Sequence, residues 1–331
     1  MTVRERYIVG VDLGGTNIVV GAMPEDGSSE LAMRSLPTRG EEGPAAVVDR
    51  IVGMVEDVIA EVMADTGAAR EDFLGVGIGS PGPLDRERGV VIVSPNLGWK
   101  DFPLRDEIGS RVKMLATLDN DANCATLGEW WCGAAKGHRN VVGMTIGTGI
   151  GGGLIIEGQL YHGSSDAAGE IGHTTIDSNG RLCKCGNYGC VEAYASGTAI
   201  AIRAREALVD GEGSTLLALA GGDPANITAQ TVYEAAKQND PIAIEVVRET
   251  ARILGTAIST LINIINPDIV VIAGGVTQAG DLLFEPLRSE VRRRAFKTAV
   301  DACEIVPGML PISAGVVGAV ATFKAQTLGK V

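Results

Sequence analysis

The sequence lacks the features of several large protein classes. No apolar run is long enough to span a membrane, and the first residues contain no signal-peptide segment, so we expect a cytoplasmic protein. Basic residues are scarce, with 28 Lys and Arg against 41 Asp and Glu, and the net charge is −13. This excess of negative charge disfavours nucleic acid and anionic membranes as main partners. The densest basic run, residues 292–294, is explained by a solvated helix face.

Neither of the two common glycine-rich nucleotide motifs occurs in its usual context. The P-loop pattern G-x-x-x-x-G-K-[ST] is absent, which excludes the P-loop enzymes. The pattern G-x-G-x-x-G fits residues 147–152, but residues 154–156 predict a β-strand where a dinucleotide-binding turn would begin a helix. We therefore predict that this turn connects two strands and does not bind a dinucleotide.

The chain does contain enough apolar residues, 45% of 331, to form two globular cores. Its six cysteines are expected to stay reduced in a cytoplasmic compartment. Three of them lack the spacing of metal ligands, and we expect them to behave as small apolar residues: Cys124, Cys132 and Cys303.

The segment 169–192 concentrates metal-binding residue types. Cys183, Cys185 and Cys190 form the pattern C-x-C-x4-C, and His173, one of three histidines, lies ten residues upstream. Three thiolates and one imidazole are the ligands of a closed tetrahedral zinc site. The alternative is a loop with three free thiols, but disulfides fit a reducing compartment poorly and the set predicts structural zinc.

Two glutamates flank the cysteine segment. Glu170 lies three residues before His173, and Glu192 lies two residues after the last cysteine. A site that fixes two carboxylates beside an imidazole can hold a ligand with several hydroxyl groups. We therefore expect these three side chains to bind a sugar, with the metal as a brace.

Residues 7–23 predict a β-hairpin around the loop D-L-G-G-T-N. Backbone N–H groups in such a glycine turn can converge on a phosphate, and Thr16 and Asn17 add side-chain donors. Asp12 lies where the first strand ends, and a carboxylate at that position can meet Mg²⁺ through water. An ordinary hairpin is the alternative.

The pattern of this hairpin returns later in the chain. Aligning residues 8–23 with residues 141–156 places strand on strand and turn on turn, with Thr148 and Gly149 in the second turn. An internal repeat of this kind predicts two related halves, each opening with a phosphate-type hairpin.

Polar residues gather at two other places. The run D-N-D-A-N at 119–123 lies between a predicted strand and a predicted helix, where an aspartate is either a helix cap or a functional carboxylate. Two aspartates and two asparagines in five residues favour a function. Asn96, in the loop after a predicted strand at 90–93, can hydrogen-bond a sugar hydroxyl or cap a turn.

The order of elements predicts a mixed α/β fold. A hairpin, then strand–helix pairs, then a second hairpin are typical of a largely parallel sheet in each half. Helices are predicted at residues 44–65, 122–132, 241–265, 284–296 and 312–324.

Two motifs carry a family resemblance. Residues 170–173 read E-x-G-H, and residues 183–192 read C-x-C-G-x-x-G-C-x-E. Together they resemble the ROK family of bacterial sugar kinases, and most closely its zinc-containing glucokinases. The resemblance implies the two-domain ribonuclease-H-like fold of actin and the hexokinases. It implies a small α/β domain at 1–120 plus 311–331 and a large α/β domain with the zinc site at 121–310.

The resemblance also implies an activity, the ATP-dependent phosphorylation of D-glucose at its 6-hydroxyl, with Asp121 as the catalytic base. The expected substrate-binding residues are Asn96, Asn120, Asp121, Glu170, His173 and Glu192. The expected nucleotide-binding residues are Asp12, Gly14, Gly15, Thr16, Asn17, Thr148, Gly149, Gly274 and Gly275. The expected zinc ligands are His173, Cys183, Cys185 and Cys190.

The expected cofactors are structural Zn²⁺ and the Mg²⁺ that accompanies ATP, and we expect a homo-oligomer, either a dimer or a tetramer. Two other functions stay open. One is a kinase of another hexose or N-acetylhexosamine, such as mannose, fructose, N-acetylglucosamine or N-acetylmannosamine. The other is a non-catalytic sugar-binding regulator. A transcription regulator of the family would need a helix-turn-helix before the first hairpin, and we expect none because six residues precede Tyr7.

Overall fold

The computed structural model describes residues 4–94, 96–208, 214–329 and 331. Its strands are β1 (Tyr7–Leu13), β2 (Asn17–Pro24), β3 (Leu31–Pro37), β4 (Phe73–Ser80), β5 (Leu84–Asp85), β6 (Val90–Ser94), β7 (Trp99–Phe102), β8 (Ala116–Asn120), β9 (Val141–Ile146), β10 (Ile150–Ile156), β11 (Gln159–Leu160), β12 (Ile269–Ala273) and β13 (Glu304–Pro307). Its α-helices are α1 (Pro44–Thr66), α2 (Leu104–Val112), α3 (Asp121–Trp131), α4 (Glu192–Ala195), α5 (Gly197–Ala207), α6 (Thr215–Leu219), α7 (Ala229–Lys237), α8 (Pro241–Ile265), α9 (Asp281–Arg294), α10 (Lys297–Val300) and α11 (Ala314–Leu328). Among the described residues, none of these helices combines the length and hydropathy that a membrane span requires.

The first sheet has the strand order β3-β2-β1-β4-β8. Strands β1, β2 and β3 follow one another as antiparallel neighbours, whereas β4 pairs in parallel with β1 and β8 pairs in parallel with β4. Asp12 pairs with Gly79, and Ser80 pairs with Asn120. The carboxyl ends of the three parallel strands therefore bring Asp12 and Asn120 to one edge of the sheet.

The second sheet repeats this arrangement with the order β11-β10-β9-β12-β13. Strand β12 lies between β9 and β13 and is parallel to both, while β10 and β11 are antiparallel. In both sheets the first strand of a hairpin pairs with a parallel strand that follows helices. The predicted internal repeat is thus present in the topology, and the mixed α/β class is confirmed.

Internal contacts divide the chain into two compact units. The first consists of Met1–Gly137, Gly153–Gly169 and Met309–Val331, and the second of His138–Gly152 and Glu170–Gly308. Relative to the boundaries expected near residues 120 and 310, the first unit also includes α3 and the segment 153–169. The domain assignment implied by the resemblance stays a prediction.

One apolar face of α1 forms much of the core of the first unit. Pro44 begins the helix, where N–H groups have no acceptor within the helix and the missing N–H of proline costs no hydrogen bond. Gly67 follows the last helical residue in the left-handed conformation at φ +75°. Apolar residues recur along the helix at three- and four-residue steps, and the following are all buried: Val47, Val48, Ile51, Val55, Val58, Ile59 and Val62. Burial of each such side chain contributes about 1.5–3 kcal/mol.

Helices α3 and α11 of the first unit lie unusually close together. A Cβ atom at Gly318 would lie 1.5 Å from the carbonyl oxygen of Cys124, so the contact depends on glycine. Lys324, farther along α11, is 6% exposed, and its Nζ lies 4.3 Å from the centre of the Trp131 ring. This cation–π contact extends the pairing of the two helices.

A buried carboxylate fixes the far end of α3. Glu129 is 2% exposed, and its Oε2 accepts hydrogen bonds from the backbone N–H groups of Ala134 at 2.9 Å and Met309 at 3.0 Å. Its Oε1 accepts from the N–H of Leu310 at 2.8 Å. Since buried N–H groups need partners, one side chain completes the hydrogen bonding of two segments far apart in sequence.

We predict that Glu129→Leu lowers the free energy of unfolding by about 2–4 kcal/mol, because it removes a buried carboxylate that accepts three hydrogen bonds from partly buried backbone N–H groups. The measurement is urea unfolding followed by circular dichroism. Glu61→Leu, on the solvent side of α1 and paired with Arg34, is the matched control and should cost about 1 kcal/mol or less. Equal losses in the two variants would contradict the role of Glu129.

Candidate active site

The turn between β1 and β2 is a tight glycine loop. The N–H of Gly14 donates to the carbonyl oxygen of Asn17 at 2.9 Å. Thr38 holds the turn, because its hydroxyl donates to the carbonyl of Gly14 at 2.7 Å and its N–H donates to the carbonyl of Thr16 at 2.8 Å. Gly15, Thr16 and Asn17 are exposed, so a phosphate group can reach this turn.

Asp12 lies directly before this turn at the end of β1. Its burial and, to a smaller extent, the nearby Asp121 carboxylate raise the pKa of the carboxyl to about 7. Gly315 of α11 also approaches it, since a Cβ atom there would lie 2.2 Å from Oδ2 of Asp12. A cation beside two crowded carboxylates would favour their ionised forms, which suits the predicted association of Asp12 with Mg²⁺.

Asn96 lies beside the same glycine turn. It is exposed after β6, and its Nδ2 would be 3.5 Å from a Cβ atom placed on Gly15. The structure therefore brings Asn96 to the predicted phosphate turn. Its contact with a sugar stays a prediction.

The start of α3 separates a capping residue from the candidate base. Asn120 is the cap, since its Oδ1 accepts from the N–H groups of Ala122 at 2.9 Å and Asn123 at 3.1 Å. Asp121 is the first residue of the helix, and its Oδ1 also accepts from the N–H of Ala122, at 2.9 Å. The capping interpretation of the D-N-D-A-N run therefore holds for Asn120, and the catalytic role of Asp121 stays a prediction.

Asp119 is almost fully buried, at 1% exposure, and has donors on both carboxylate oxygens. Oδ1 accepts from the N–H of Asn120 at 2.8 Å and from Nδ2 of Asn123 at 3.3 Å. Oδ2 lies 2.8 Å from Nε2 of His162 and 3.1 Å from Nε of Arg86. Sequence reasoning missed these two partners, because each lies more than thirty residues from Asp119 and belongs to no motif.

The turn between β9 and β10 is the counterpart of the first turn. The N–H of Gly147 donates to the carbonyl of Gly149 at 3.0 Å. The start of α5 holds the turn, because Gly197 N–H donates to the carbonyl of Gly147 at 2.8 Å and the hydroxyl of Thr198 donates to the carbonyl of Thr148 at 2.9 Å. No sequence pattern indicates this contribution of α5, which arises only in the folded chain.

A third glycine turn lies at the same edge of the second sheet. Gly274 follows β12 with φ +98°, and a Cβ atom there would lie 2.3 Å from the carbonyl oxygen of Ile146, the last residue of β9. Gly275 faces open space. Because β9 and β12 are parallel neighbours, the predicted nucleotide-binding residues Thr148, Gly149, Gly274 and Gly275 lie at the ends of adjacent strands.

The four predicted metal ligands meet in one place. The ligand atoms of His173, Cys183, Cys185 and Cys190 all lie within 4.8 Å of one another. Sγ of Cys183 lies 3.8 Å from Nδ1 of His173, and the Sγ atoms of Cys185 and Cys190 lie 3.7 Å apart. Tetrahedral zinc with bonds of about 2.3 Å sets neighbouring sulfur ligands about 3.8 Å apart, so the donor types and their spacing both fit zinc.

The cluster changes the pKa of its thiols. Burial, together with hydrogen bonds with Cys185 and Cys183, raises the pKa of Cys190 to about 12. A buried thiol in such a cluster is neutral near pH 7 unless a cation stabilises the thiolate, and zinc deprotonates the thiols that it binds.

Glu192 connects the cysteine cluster to the second glycine turn. Its Oε2 accepts from the N–H of Ile150 at 2.9 Å, and its Oε1 lies 3.8 Å from Sγ of Cys183. Gly149 leaves the space that this carboxylate occupies, because a Cβ atom at Gly149 would lie 2.4 Å from Oε2 of Glu192.

Glu170 is exposed and directly precedes a short 3₁₀ turn, Ile171–His173. The carbonyl of Glu170 accepts from the N–H of His173 at 3.1 Å. The turn packs on the start of β10, since a Cβ atom at Gly172 would lie 2.1 Å from the carbonyl oxygen of Ile150. Glu192 and the turn that contains Gly172 therefore both contact the first residue of β10, with Glu170 and His173 on either side of Gly172 in sequence.

The predicted site residues form two groups, one in each compact unit. The first unit contains Asp12, Gly14, Gly15, Thr16, Asn17, Asn96, Asn120 and Asp121. The second unit contains Thr148, Gly149, Glu170, His173, Cys183, Cys185, Cys190, Glu192, Gly274 and Gly275. Each group combines a glycine turn at a strand end with nearby carboxylates, and their ligand contacts stay predictions.

A family model, a relative and a solved structure all indicate the same protein family. The ROK family matches residues 8–326. A glucokinase of Thermotoga maritima is 40% identical over 323 residues, which cover 97% of this chain and 98% of the relative. A ROK family glucokinase of Streptomyces griseus, crystallised with glucose and AMPPNP, is 34% identical with a TM-score of 0.81, covering 95% of this chain and 98% of that one.

The same fold also occurs in a binding protein. A crystal structure of a ROK family transcriptional regulator is 26% identical with a TM-score of 0.82, covering 96% of this chain and 78% of the regulator. The resemblance and the actin- and hexokinase-type fold expected from the two sequence motifs are confirmed by these matches. The chain belongs to the ROK family.

Proposed function

We propose that this protein is a glucokinase that transfers the γ-phosphoryl group of ATP to the 6-hydroxyl of D-glucose, giving glucose 6-phosphate and ADP. The observation that carries the proposal is that the chain is 40% identical to a glucokinase over 97% of its length, and Asp121 lies at the start of α3 as the proposed mechanism requires. The activity requires ATP, a cytoplasmic substrate, so a cytoplasmic location is part of the proposal.

In this proposal Asp121 is the general base. It accepts the proton of the 6-hydroxyl and directs that oxygen at the γ-phosphorus, since phosphoryl transfer depends on positioning and charge neutralisation more than on covalent help. The turns that contain Gly15 and Thr148 orient the phosphates through their N–H groups. Mg²⁺ bound with ATP supplies charge neutralisation, and Asp12 would hold it through water.

Sugar recognition is assigned to five side chains, Asn120, Asp121, Glu170, His173 and Glu192. Carboxylates and an imidazole discriminate among hydroxyl groups, because a missing or inverted hydroxyl leaves a buried polar group without a partner. Support comes from Glu192 and the turn that contains Gly172, which both contact Ile150.

We also propose structural zinc on His173, Cys183, Cys185 and Cys190. Four protein ligands close the coordination sphere, so the metal performs no chemistry and braces the loop. Nδ1 is the imidazole nitrogen nearest Cys183, which leaves Nε2 of the same ring to donate to the sugar.

A homo-oligomer, dimer or tetramer, completes the proposal. Support comes from exposed apolar side chains on the second unit, where Ile264 is 74% exposed and Phe296 is 78% exposed. Sedimentation velocity at several protein concentrations distinguishes a monomer from these states.

A sugar panel tests the function against its alternatives. Purified protein is assayed with ATP and glucose, mannose, fructose, N-acetylglucosamine or N-acetylmannosamine, and ADP release is coupled to NADH oxidation. The highest kcat/KM is expected with glucose. A higher value with another sugar would identify a different kinase, and glucose binding without any ADP release would identify a regulator.

Asp121→Asn should lower kcat by roughly 10²–10⁴-fold, the scale of a lost general base, with a smaller change in glucose affinity. The amide keeps an oxygen for the Ala122 N–H, so the helix start is preserved. Kinetics and isothermal titration with glucose measure the two effects. Asp57→Asn on the exposed face of α1 is the control, and similar turnover in both variants would remove Asp121 from the mechanism.

Two alanine substitutions should separate the glycine turns. Gly149→Ala forces the Glu192 carboxylate aside, so we predict about a tenfold higher KM for glucose. Gly15→Ala meets only Asn96 at 3.5 Å, an ordinary contact, so the fold tolerates it and any effect should fall mainly on the KM for ATP. Steady-state kinetics with glucose or ATP varied measures both KM values in each variant. The same changes of the two KM values in both variants would contradict separate roles for the two turns.

Cys185→Ser should lose zinc, since a hydroxyl is a poorer ligand than a thiolate. Glucose affinity should then fall about tenfold or more, because the loop that carries Glu192 loses its brace, and ATP affinity should change less. Metal analysis and titrations with each substrate provide the measurements, with Cys303→Ser as the control outside the cluster. Unchanged glucose affinity in the zinc-free variant would limit the cluster to fold stability.

A further inference from the structure

Asp119 directly precedes the proposed substrate-binding residues Asn120 and Asp121, and its buried carboxylate needs partners from other parts of the chain. Asp119 is 1% exposed, and its Oδ2 contacts two side chains, His162 at 2.8 Å and Arg86 at 3.1 Å. Both are only partly exposed, at 16% and 23% of their side chains. An ionised carboxylate at this depth is stable only while these donors stay in place.

Other residues fix the positions of Arg86 and His162. Nη1 of Arg86 lies 3.2 Å from Oδ1 of Asp166, and the N–H of Arg86 donates to Oδ2 of the same carboxylate at 3.3 Å. The carbonyl of His162 accepts from the N–H of Ala168 at 3.0 Å. Asp166 and His162 belong to one loop after β11, so this loop fixes both partners of Asp119 at once.

The other carboxylate oxygen connects this network to the backbone of the proposed active site. Oδ1 of Asp119 accepts from the N–H of Asn120 and from Nδ2 of Asn123, on either side of Asp121. A rotation of the Asp119 carboxylate therefore disturbs the residues before and after the proposed base. A shift of about 1 Å in a reacting group costs on the order of 10² in rate.

We propose that His162 is a positioning residue for phosphoryl transfer, which acts by fixing Asp119 and, through it, the direction of the Asp121 carboxylate. This inference rests on the proposed glucokinase function. His162 supplies a hydrogen bond to Oδ2 that Arg86 does not replace, because Nε of Arg86 lies at ion-pair distance from Oδ2 without a hydrogen bond and Nη1 of Arg86 contacts Asp166. The effect of losing that hydrogen bond falls on kcat, since binding of ATP uses other residues.

Two substitutions of His162 differ in one hydrogen bond. His162→Gln places an amide N–H about where Nε2 lies and keeps the bond to Asp119. His162→Leu removes the donor, and the ring borders a cavity of about 350 Å³, so the leucine does not overpack the site. We expect His162→Leu to lower kcat about 10–100-fold with changes below about threefold in both KM values, and His162→Gln to restore most of the turnover.

The measurements are steady-state kinetics and thermal unfolding of parent, Leu and Gln proteins. A kcat of the Leu variant equal to that of the parent, or equally low kcat in both variants, would overturn the inference. If the Leu variant does not fold, His162→Asn takes its place, since its amide is one bond too short, and equal kcat for Asn and Gln would likewise overturn it. A parent protein without glucose phosphorylation would instead refute the proposed function, independently of His162.

Discussion

Two buried carboxylates, one at each end of α3, impose the strongest requirement on the first unit. Removing an ionised carboxyl group from water costs several kcal/mol unless its oxygens are hydrogen-bonded. Asp119 obtains its donors from residues 86 and 162 as well as from its own neighbours, and Glu129 obtains its donors from residues 134, 309 and 310. The helix that starts with the proposed base is therefore held at both ends by segments from three parts of the chain.

The two units hold the carboxylates near their sheet edges through different interactions. In each sheet, a hairpin turn and the end of a neighbouring parallel strand lie at one edge. In the first unit Asp119 lies at ion-pair distance from the Arg86 guanidinium and accepts a hydrogen bond from the His162 imidazole. In the second, Glu192 is held by a backbone N–H and lies next to a cysteine cluster that fits zinc. Each unit thus holds a carboxylate near its sheet edge with groups that are distant from it in sequence.

Local patterns were sufficient for part of this structure. The periodicity of α1 and the length of α8 predicted both helices, and the cysteine spacing predicted the ligand cluster, because each depends on residues close in sequence. The first residue of a strand was harder to predict from the sequence where backbone conformation determines it. The sequence 113–118 is typical of a strand along its whole length, but β8 begins only at Ala116, since Lys113 caps α2 in the left-handed conformation at φ +54°. The partners of Asp119 were missed because only the folded chain brings them together.

The position of α11 has a consequence for folding during synthesis. This helix packs against β1, β4 and α3, yet all of the second unit precedes it in the chain. The ribosome adds roughly 5–20 residues per second, so the first unit waits on the order of 10 s or more for its final helix while the second unit is already complete. During that interval the groove that later receives Gly318 exposes apolar surface, which makes the first unit the part of the nascent chain with the greatest need for a chaperone.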